Sequence, residues 1–237
     1  MECTGERYLP DYDGDWTLEH MHRYLIAREY VHDKDVLDIA SGEGYGSYML
    51  SSVANSVIGI DISEEAILFA SQKYKSDNLK FIKGEVCNIP LEDCSIDVVV
   101  SFETIEHINN HQRMLEEIKR VLRKDGVLII SSPDKKEYTD IPGSHNPYHV
   151  HELYKKEFED LISSEFKFYS FSGQRVLFGS VIGCKESSIF LSWKKNDYDI
   201  CERGLSHAEY CIAIASDYKK YTLPSGILKG NIIESNV

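Results

Sequence analysis

The sequence predicts one α/β domain built on a doubly wound, mainly parallel sheet with an antiparallel C-terminal edge strand. Three observations predict it. Short, continuous apolar runs recur from Val36 to Ile130, and stretches with helical periodicity separate them. A glycine-rich turn directly follows the first apolar run. Two more strand candidates come late, without a clear helical pattern between them.

In chain order, residues 16–31 read as a helix ahead of the first strand, Val36–Ala40. Val57–Asp61, Phe81-Ile82, Ile96–Val100 and Val127–Ile130 read as further strands. Unbroken apolar runs suit parallel strands covered on both faces. Ser63 caps a helix with Glu64 and Glu65 in its first turn and Ala66, Ile67 and Ala70 facing inward. Residues 110–124 read as another helix, with Met114, Leu115, Ile118, Val121 and Leu122 on one stripe, a basic last turn and a stop at Gly126. A polar, aromatic stretch runs to Tyr148, then a helix at about 151–163. Phe166–Phe171 and Tyr210–Ser216 are the late strands that supply the antiparallel edge, and 176–205 is poorly patterned.

The 237 residues suit a single domain over 1–237: an N-terminal helical cap (1–33), a ligand-binding core (34–133) and an acceptor-side region (134–237). No apolar run approaches the roughly 20 residues of a membrane span. The opening Met1-Glu2-Cys3-Thr4 lacks a leader pattern, and the six cysteines form no CxxC pair, so the sequence reads as a cytoplasmic protein with reduced thiols. The formal charge of −13 argues against a nucleic-acid partner, which calls for a basic stripe.

The turn Asp38-Ile39-Ala40-Ser41-Gly42-Glu43-Gly44 lets the backbone approach a ligand closely. Asp61, 19 residues after Gly42, ends the second strand where a carboxylate can accept a ribose diol. A pyrophosphate wants a positive helix end, yet this turn carries Asp38 and Glu43. S-adenosylmethionine (SAM) has no phosphate and brings a sulfonium and an ammonium, which an acidic turn favours.

On these residues, the stretch 34–133 resembles the class I SAM-dependent methyltransferases, with their Rossmann-like fold. The resemblance implies that Asp38, Ala40, Gly42 and Gly44 form the first cofactor motif, Ala40 standing where a glycine is usual. It implies Asp61 at the ribose, with Ile62 beside it. Gly84-Glu85-Val86 matches the motif after the third strand and implies Glu85 near the adenine amine, though the family usually carries Asp there. Phe102, at the end of the fourth strand, joins the implied cofactor wall.

The fourth strand runs into Glu103-Thr104-Ile105-Glu106-His107, where strand C-termini face the ligand crevice. In a helix, Glu103, Glu106 and His107 fall on one face and form a candidate site for a divalent cation, Mn²⁺ or Mg²⁺. Asn146-Pro147-Tyr148-His149-Val150-His151-Glu152 adds two histidines. The other reading makes the carboxylates structural and a histidine a general base. Glu-x-x-Glu-His with a downstream His looks like the metal site of small-RNA 3′-end 2′-O-methyltransferases, and its first part resembles ubiquinone-pathway O-methyltransferases. Carried over, Glu103, Glu106, His107 and His149 are the implied ligands, with His151 a substitute for His149. The catalytic candidates are His149, His151 and His107.

The chain's ends resemble a third group. Thr4–Pro10, Glu19–Tyr24, Glu209–Asp217 and Leu223-Pro224 are similar to methyltransferase domains associated with glycosyltransferases in polysaccharide synthesis. That likeness implies a sugar hydroxyl acceptor in a glycan, such as rhamnose or another deoxyhexose, and a glycosyltransferase in the same pathway. It places Tyr8, His20 and Arg23 over the cofactor's methionine end or the sugar. The alternatives are an RNA 2′-O-methyltransferase, a small aromatic-alcohol methyltransferase, and a SAM-binding module without catalysis.

Overall fold

A computed structural model describes residues 15–176, 179–184, 191–194, 197–203, 205 and 207–229. Tyr8 and the motif Thr4–Pro10 lie outside the described residues. Nine strands form one sheet: β1 (Asp35–Ile39), β2 (Ser56–Asp61), β3 (Leu79–Lys83), β4 (Ile96–Ser101), β5 (Leu122–Pro133), β6 (Phe168–Val176), β7 (Gly179–Cys184), β10 (Tyr210–Ser216) and β11 (Gly226–Lys229). β8 (Leu191–Lys194) and β9 (Asp197–Arg203) pair separately as an antiparallel ribbon. The helices are α1 (Asp15–Arg28), α2 (Tyr45–Ser51), α3 (Glu64–Lys73), α4 (His111–Val121) and α5 (Lys155–Glu165).

The sheet order is β11-β7-β6-β10-β5-β4-β1-β2-β3. β1 to β5 run parallel, and β10 inserts antiparallel between β5 and β6. The sheet is therefore mainly parallel in its ligand-binding half and antiparallel at its C-terminal edge. That edge holds four strands, because β7 and β11 extend it beyond the expected pair. β7 to β9 occupy most of the segment that lacks a readable pattern.

Alternation explains why apolar runs make strands here. Leu37, Val99, Leu128 and Ile130 face one core with Met114, Leu115, Ile118, Phe158 and Ile162. Their neighbours Val36, Val98, Val100, Val127 and Ile129 face the other, with Tyr24, Ala27, Val31 and Leu50. Each such side chain contributes about 1.5–3 kcal/mol on full burial, so a polar residue on either face of these strands is costly.

Element ends move where specific polar contacts intervene. α4 starts as expected, the Asn110 side chain accepting the Arg113 amide, but it stops at Val121. The expected last turn is already strand, because Arg123 reaches Asp35 at 3.0 Å and Asp97 at 2.7 Å on the neighbouring strands. α5 begins later than expected, at Lys155. The amides of Val150 and His151 are taken by the Glu106 carbonyl, and the Lys155 amide by Asp134. No helix among the described residues is long and apolar enough to cross a membrane.

Candidate functional site

Strand order reverses around β1, which lies between β2 and β4, and the C-terminal ends of these strands open into a cavity of ≈530 Å³. One end is the glycine-rich turn. Ala40, Gly42 and Gly44 all have positive φ, at 56°, 53° and 85°. A Cβ on Gly44 would sit 2.6 Å from the Phe81 ring, so both conformation and space demand glycine there. Ala40 takes the left-handed conformation despite its Cβ, at a cost of roughly 1–2 kcal/mol.

Asp61 fastens this turn. One carboxylate oxygen accepts the Gly42 amide at 2.9 Å and the other accepts the Ser63 amide at 2.8 Å. Asp61, Ile62 and Glu85 line the cavity together with Ala40, Gly42 and Phe102. Asp38 does not line it. It is fully buried behind the turn, accepting the Ser47 hydroxyl at 2.6 Å and the Tyr24 hydroxyl at 3.1 Å. Burial pushes its carboxyl up to about 7, against those two hydrogen bonds. Asp38 and Gly44 thus shape the loop from behind, while Gly42 and Asp61 face the ligand space.

The other end of the cavity is assembled from distant segments. The run after β4 is not the expected helix. Glu103 takes φ 49°, and only Ile105–His107 forms a single 3₁₀ turn. Glu103 consequently turns to Arg23, 2.8 Å away, and accepts the Ser131 hydroxyl at 2.6 Å. Arg23 is buried behind the wall, its guanidinium 4.7 Å over the Tyr210 ring, and is placed against Glu103 rather than over a ligand. Its partner Glu103, with Glu19 and His20 from α1, does line the cavity.

Glu106, His107 and His149 do come together: one ligand atom from each lies within 4.8 Å of the others. Glu103 is outside this trio. Glu106 is 1% exposed, and its Oε2 has no hydrogen-bond partner among the described residues. Burial, then the neighbouring Glu103 carboxylate, hold Glu106 well above the usual carboxylate range. His107 Nδ1 donates to the Tyr148 carbonyl at 3.0 Å. His149 Nδ1 donates to Glu152 at 2.5 Å, and its Nε2 accepts from the Asn146 amide at 3.0 Å. His151 lies elsewhere: it is exposed, stacked on His111 with centroids 4.7 Å apart.

Several wall residues carry no sequence signal as site residues. Tyr138, Tyr148 and Tyr210 give the cavity an aromatic lining, and Tyr138 stacks on His149 at 5.5 Å. Glu19 also lines it, and burial pushes its carboxyl up to about 7. For Glu152 the signal was present, since a carboxylate three residues beyond His149 can turn back to it. Among the described residues that line the cavity there is no lysine or arginine. That acidic lining fits the sulfonium and ammonium of SAM and opposes a phosphate.

Known proteins bear on the family and the fold of this chain. A probable SAM-dependent methyltransferase of Mycobacterium tuberculosis is 35% identical over 167 residues, covering 68% of this chain and 60% of that protein. A probable SAM-dependent methyltransferase of Mycolicibacterium smegmatis is 33% identical over 169 residues, covering 69% and 64%. The chain thus matches less than two thirds of the length of these relatives. Among solved structures, a SAM-dependent methyltransferase of Thermotoga maritima, titled a possible histamine N-methyltransferase, superposes with a TM-score of 0.62 at 20% identity. It covers 86% of this chain and 91% of its own, and at that identity it speaks for the fold alone. The family profile described as a methyltransferase domain matches residues 31–204, from the end of the α1 region through β9, and the chain belongs to this family of SAM-dependent methyltransferase domains.

Proposed function

We propose that the chain is an O-methyltransferase whose acceptor is a sugar hydroxyl of a glycan, a deoxyhexose such as rhamnose being the first candidate, working alongside a glycosyltransferase. One observation carries the reading: His149 lines the cavity and is clamped through Nδ1 by Glu152, which leaves Nε2 as the nitrogen able to take a proton. A hydroxyl is a weak nucleophile and needs a proton acceptor there. The tyrosine rings of the same wall suit the apolar C–H face of a sugar, and Asn146 and Glu106 suit its hydroxyls. The likeness of Glu19–Tyr24 and Glu209–Asp217 to glycosyltransferase-associated domains points the same way.

SAM supplies a methyl group on a sulfonium. The chain's own task is to place the hydroxyl oxygen in line with that methyl, since positioning supplies much of the rate. The hydroxyl proton would pass to His149 Nε2 as the oxygen takes the methyl group and S-adenosylhomocysteine leaves. A general base in this position contributes about 10²–10⁴-fold. Asp61 would hold the ribose and Glu85 the adenine, with Phe102 and Ile62 lining the same cavity.

A second reading rests on its own observation. Glu106, His107 and His149 converge, with a buried carboxylate oxygen left without a partner among the described residues. Oxygen and imidazole ligands suit Mn²⁺ or Mg²⁺, and such an ion would acidify a bound hydroxyl. An RNA acceptor is disfavoured by the charge of −13 and the acidic lining.

Glycans and nucleotide sugars incubated with isotopically labelled SAM, followed by mass spectrometry, test the acceptor class. Label on a sugar hydroxyl is expected; label only on RNA or an aromatic alcohol would overturn it. Turnover is expected to persist in EDTA and to collapse in His149→Ala. Loss in EDTA with recovery on Mn²⁺ would replace the general base by the metal reading.

A further inference from the structure

His149 is held by Glu152, Asn146 and Tyr138, of which Glu152 alone does not line the cavity. Its Nδ1–H points at Glu152 Oε1, 2.5 Å away, and both side chains are 6% exposed. The same carboxylate oxygen accepts the Thr139 hydroxyl at 2.8 Å, which fixes the carboxylate in turn. Tyr138 lies against the imidazole at an interplanar angle of 26°. Thr139 and Tyr138 come from the π-helical turn Lys136–Asp140, and Glu152 from the segment leading into α5. Two separate parts of the acceptor-side region therefore meet on one ring.

An imidazole's tautomer follows from the hydrogen bond its other nitrogen makes. A carboxylate accepts and cannot donate, so a proton belongs on Nδ1 and the neutral ring's lone pair on Nε2. Nε2 is the nitrogen that meets Asn146 at the cavity wall. We propose that Glu152 is a positioning residue: it holds His149 in the Nδ1–H tautomer and in one orientation, so that Nε2 is the nitrogen presented to the acceptor. The inference rests on the reading that His149 acts at the acceptor. Glu152 itself does not line the cavity and touches no reacting atom. During transfer the Nδ1 proton stays on His149, hydrogen-bonded to Glu152, which then faces the imidazolium formed when Nε2 takes the hydroxyl proton. Asn146 holds Nε2 until an acceptor hydroxyl takes its place.

Nitrogen-15 NMR of the imidazoles in the full chain, saturated with S-adenosylhomocysteine, reads the protonated nitrogen directly. The wild type is expected to show Nδ1–H at His149, and Glu152→Ala and Glu152→Gln to move the proton to Nε2 or mix the two. Turnover is expected to fall about 10–100-fold in kcat, as for other residues that orient a functional histidine, with little change in KM for SAM. Glu152→Ala that binds S-adenosylhomocysteine normally and retains Nδ1–H, or retains wild-type kcat, overturns the proposal. If Glu152→Ala does not bind it, Glu152→Gln decides by the same two readouts. Full turnover in His149→Ala would sink the proposed function instead, leaving the tautomer effect of Glu152 standing, so the two failures are told apart.

Discussion

Replacing Asp61 by asparagine probes the cofactor assignment with little change of shape. In the wild type each carboxylate oxygen already accepts a backbone amide, Gly42 on one and Ser63 on the other. Each oxygen keeps a lone pair for a ribose hydroxyl. Asparagine preserves one acceptor and turns the other into an NH₂ that meets an amide donor to donor. A hydrogen bond to a charged group is worth about 1.5–3 kcal/mol. Losing one ribose contact outright and the charge from the other gives a deficit of about 3 kcal/mol, or roughly a 100-fold weaker complex. The orphaned amide costs a further ~1–3 kcal/mol of stability, so the thermal midpoint falls as well and must be checked to show the variant folded. Calorimetry with S-adenosylhomocysteine reads the affinity. A folded Asp61→Asn variant that binds within twofold of wild type would refute the placement of the ribose, and with it the orientation of the cofactor in this crevice.

Other expectations follow from the same contacts. Arg23→Met should cost up to about 3–5 kcal/mol in urea denaturation, because it removes the buried cation from the half-buried Glu103 and the buried Glu19; a loss below 1 kcal/mol would deny that the pair supports the wall. Gly44→Ala should lose about 2–5 kcal/mol, adding a left-handed Cβ to a clash with Phe81, and an unchanged thermal midpoint would contradict the loop geometry. Asp38 has its folded pKa raised to about 7 against roughly 4 unfolded, so its proton-linked stability is full below pH ~4 and is lost as pH rises through 7, at about 1.4 kcal/mol per unit. Asp38→Asn should flatten that decline in denaturation curves, and an identical pH slope in the variant would show the linkage lies elsewhere. RNA should bind weakly at low salt in an anisotropy titration; submicromolar, salt-sensitive binding would revive the RNA acceptor.

The parallel half of the sheet was legible because its signals are local. Val36–Ile39 and Ile96–Val100 are mostly apolar and mostly buried on both faces, which fits burial between two helix layers. The turn from Ala40 to Gly44 and the acid at Asp61 announce themselves by spacing alone. The antiparallel edge was only half legible. β10 is buried along its whole length, but β7, paired between β6 and β11, begins with Gly179-Ser180 and offers no readable period. The start of α5 was missed for a different reason. Val150 and His151 have helical-looking neighbours, yet their amides are spent on the Glu106 carbonyl, 44 and 45 residues away in sequence, a contact that no local pattern reports.

The same distinction governs the acceptor end. Glu103, Glu106 and His107 share a helical face only if the backbone is helical through all three, and one residue decides it. Glu103 sits at φ 49°, a conformation disfavoured for a residue with a Cβ, which persists only where surroundings fix it. Those surroundings are the Arg23 guanidinium and the Ser131 hydroxyl, from α1 and β5. The buried arginine therefore acts on the site at one remove. It draws Glu103 out of register, which separates the spacing that reads as a four-ligand cluster into an ion pair and a trio. With Glu103 committed to Arg23, Glu106 is the carboxylate left to face the histidines, and the base or metal chemistry proposed for the cavity turns on His149 and the Glu152 behind it.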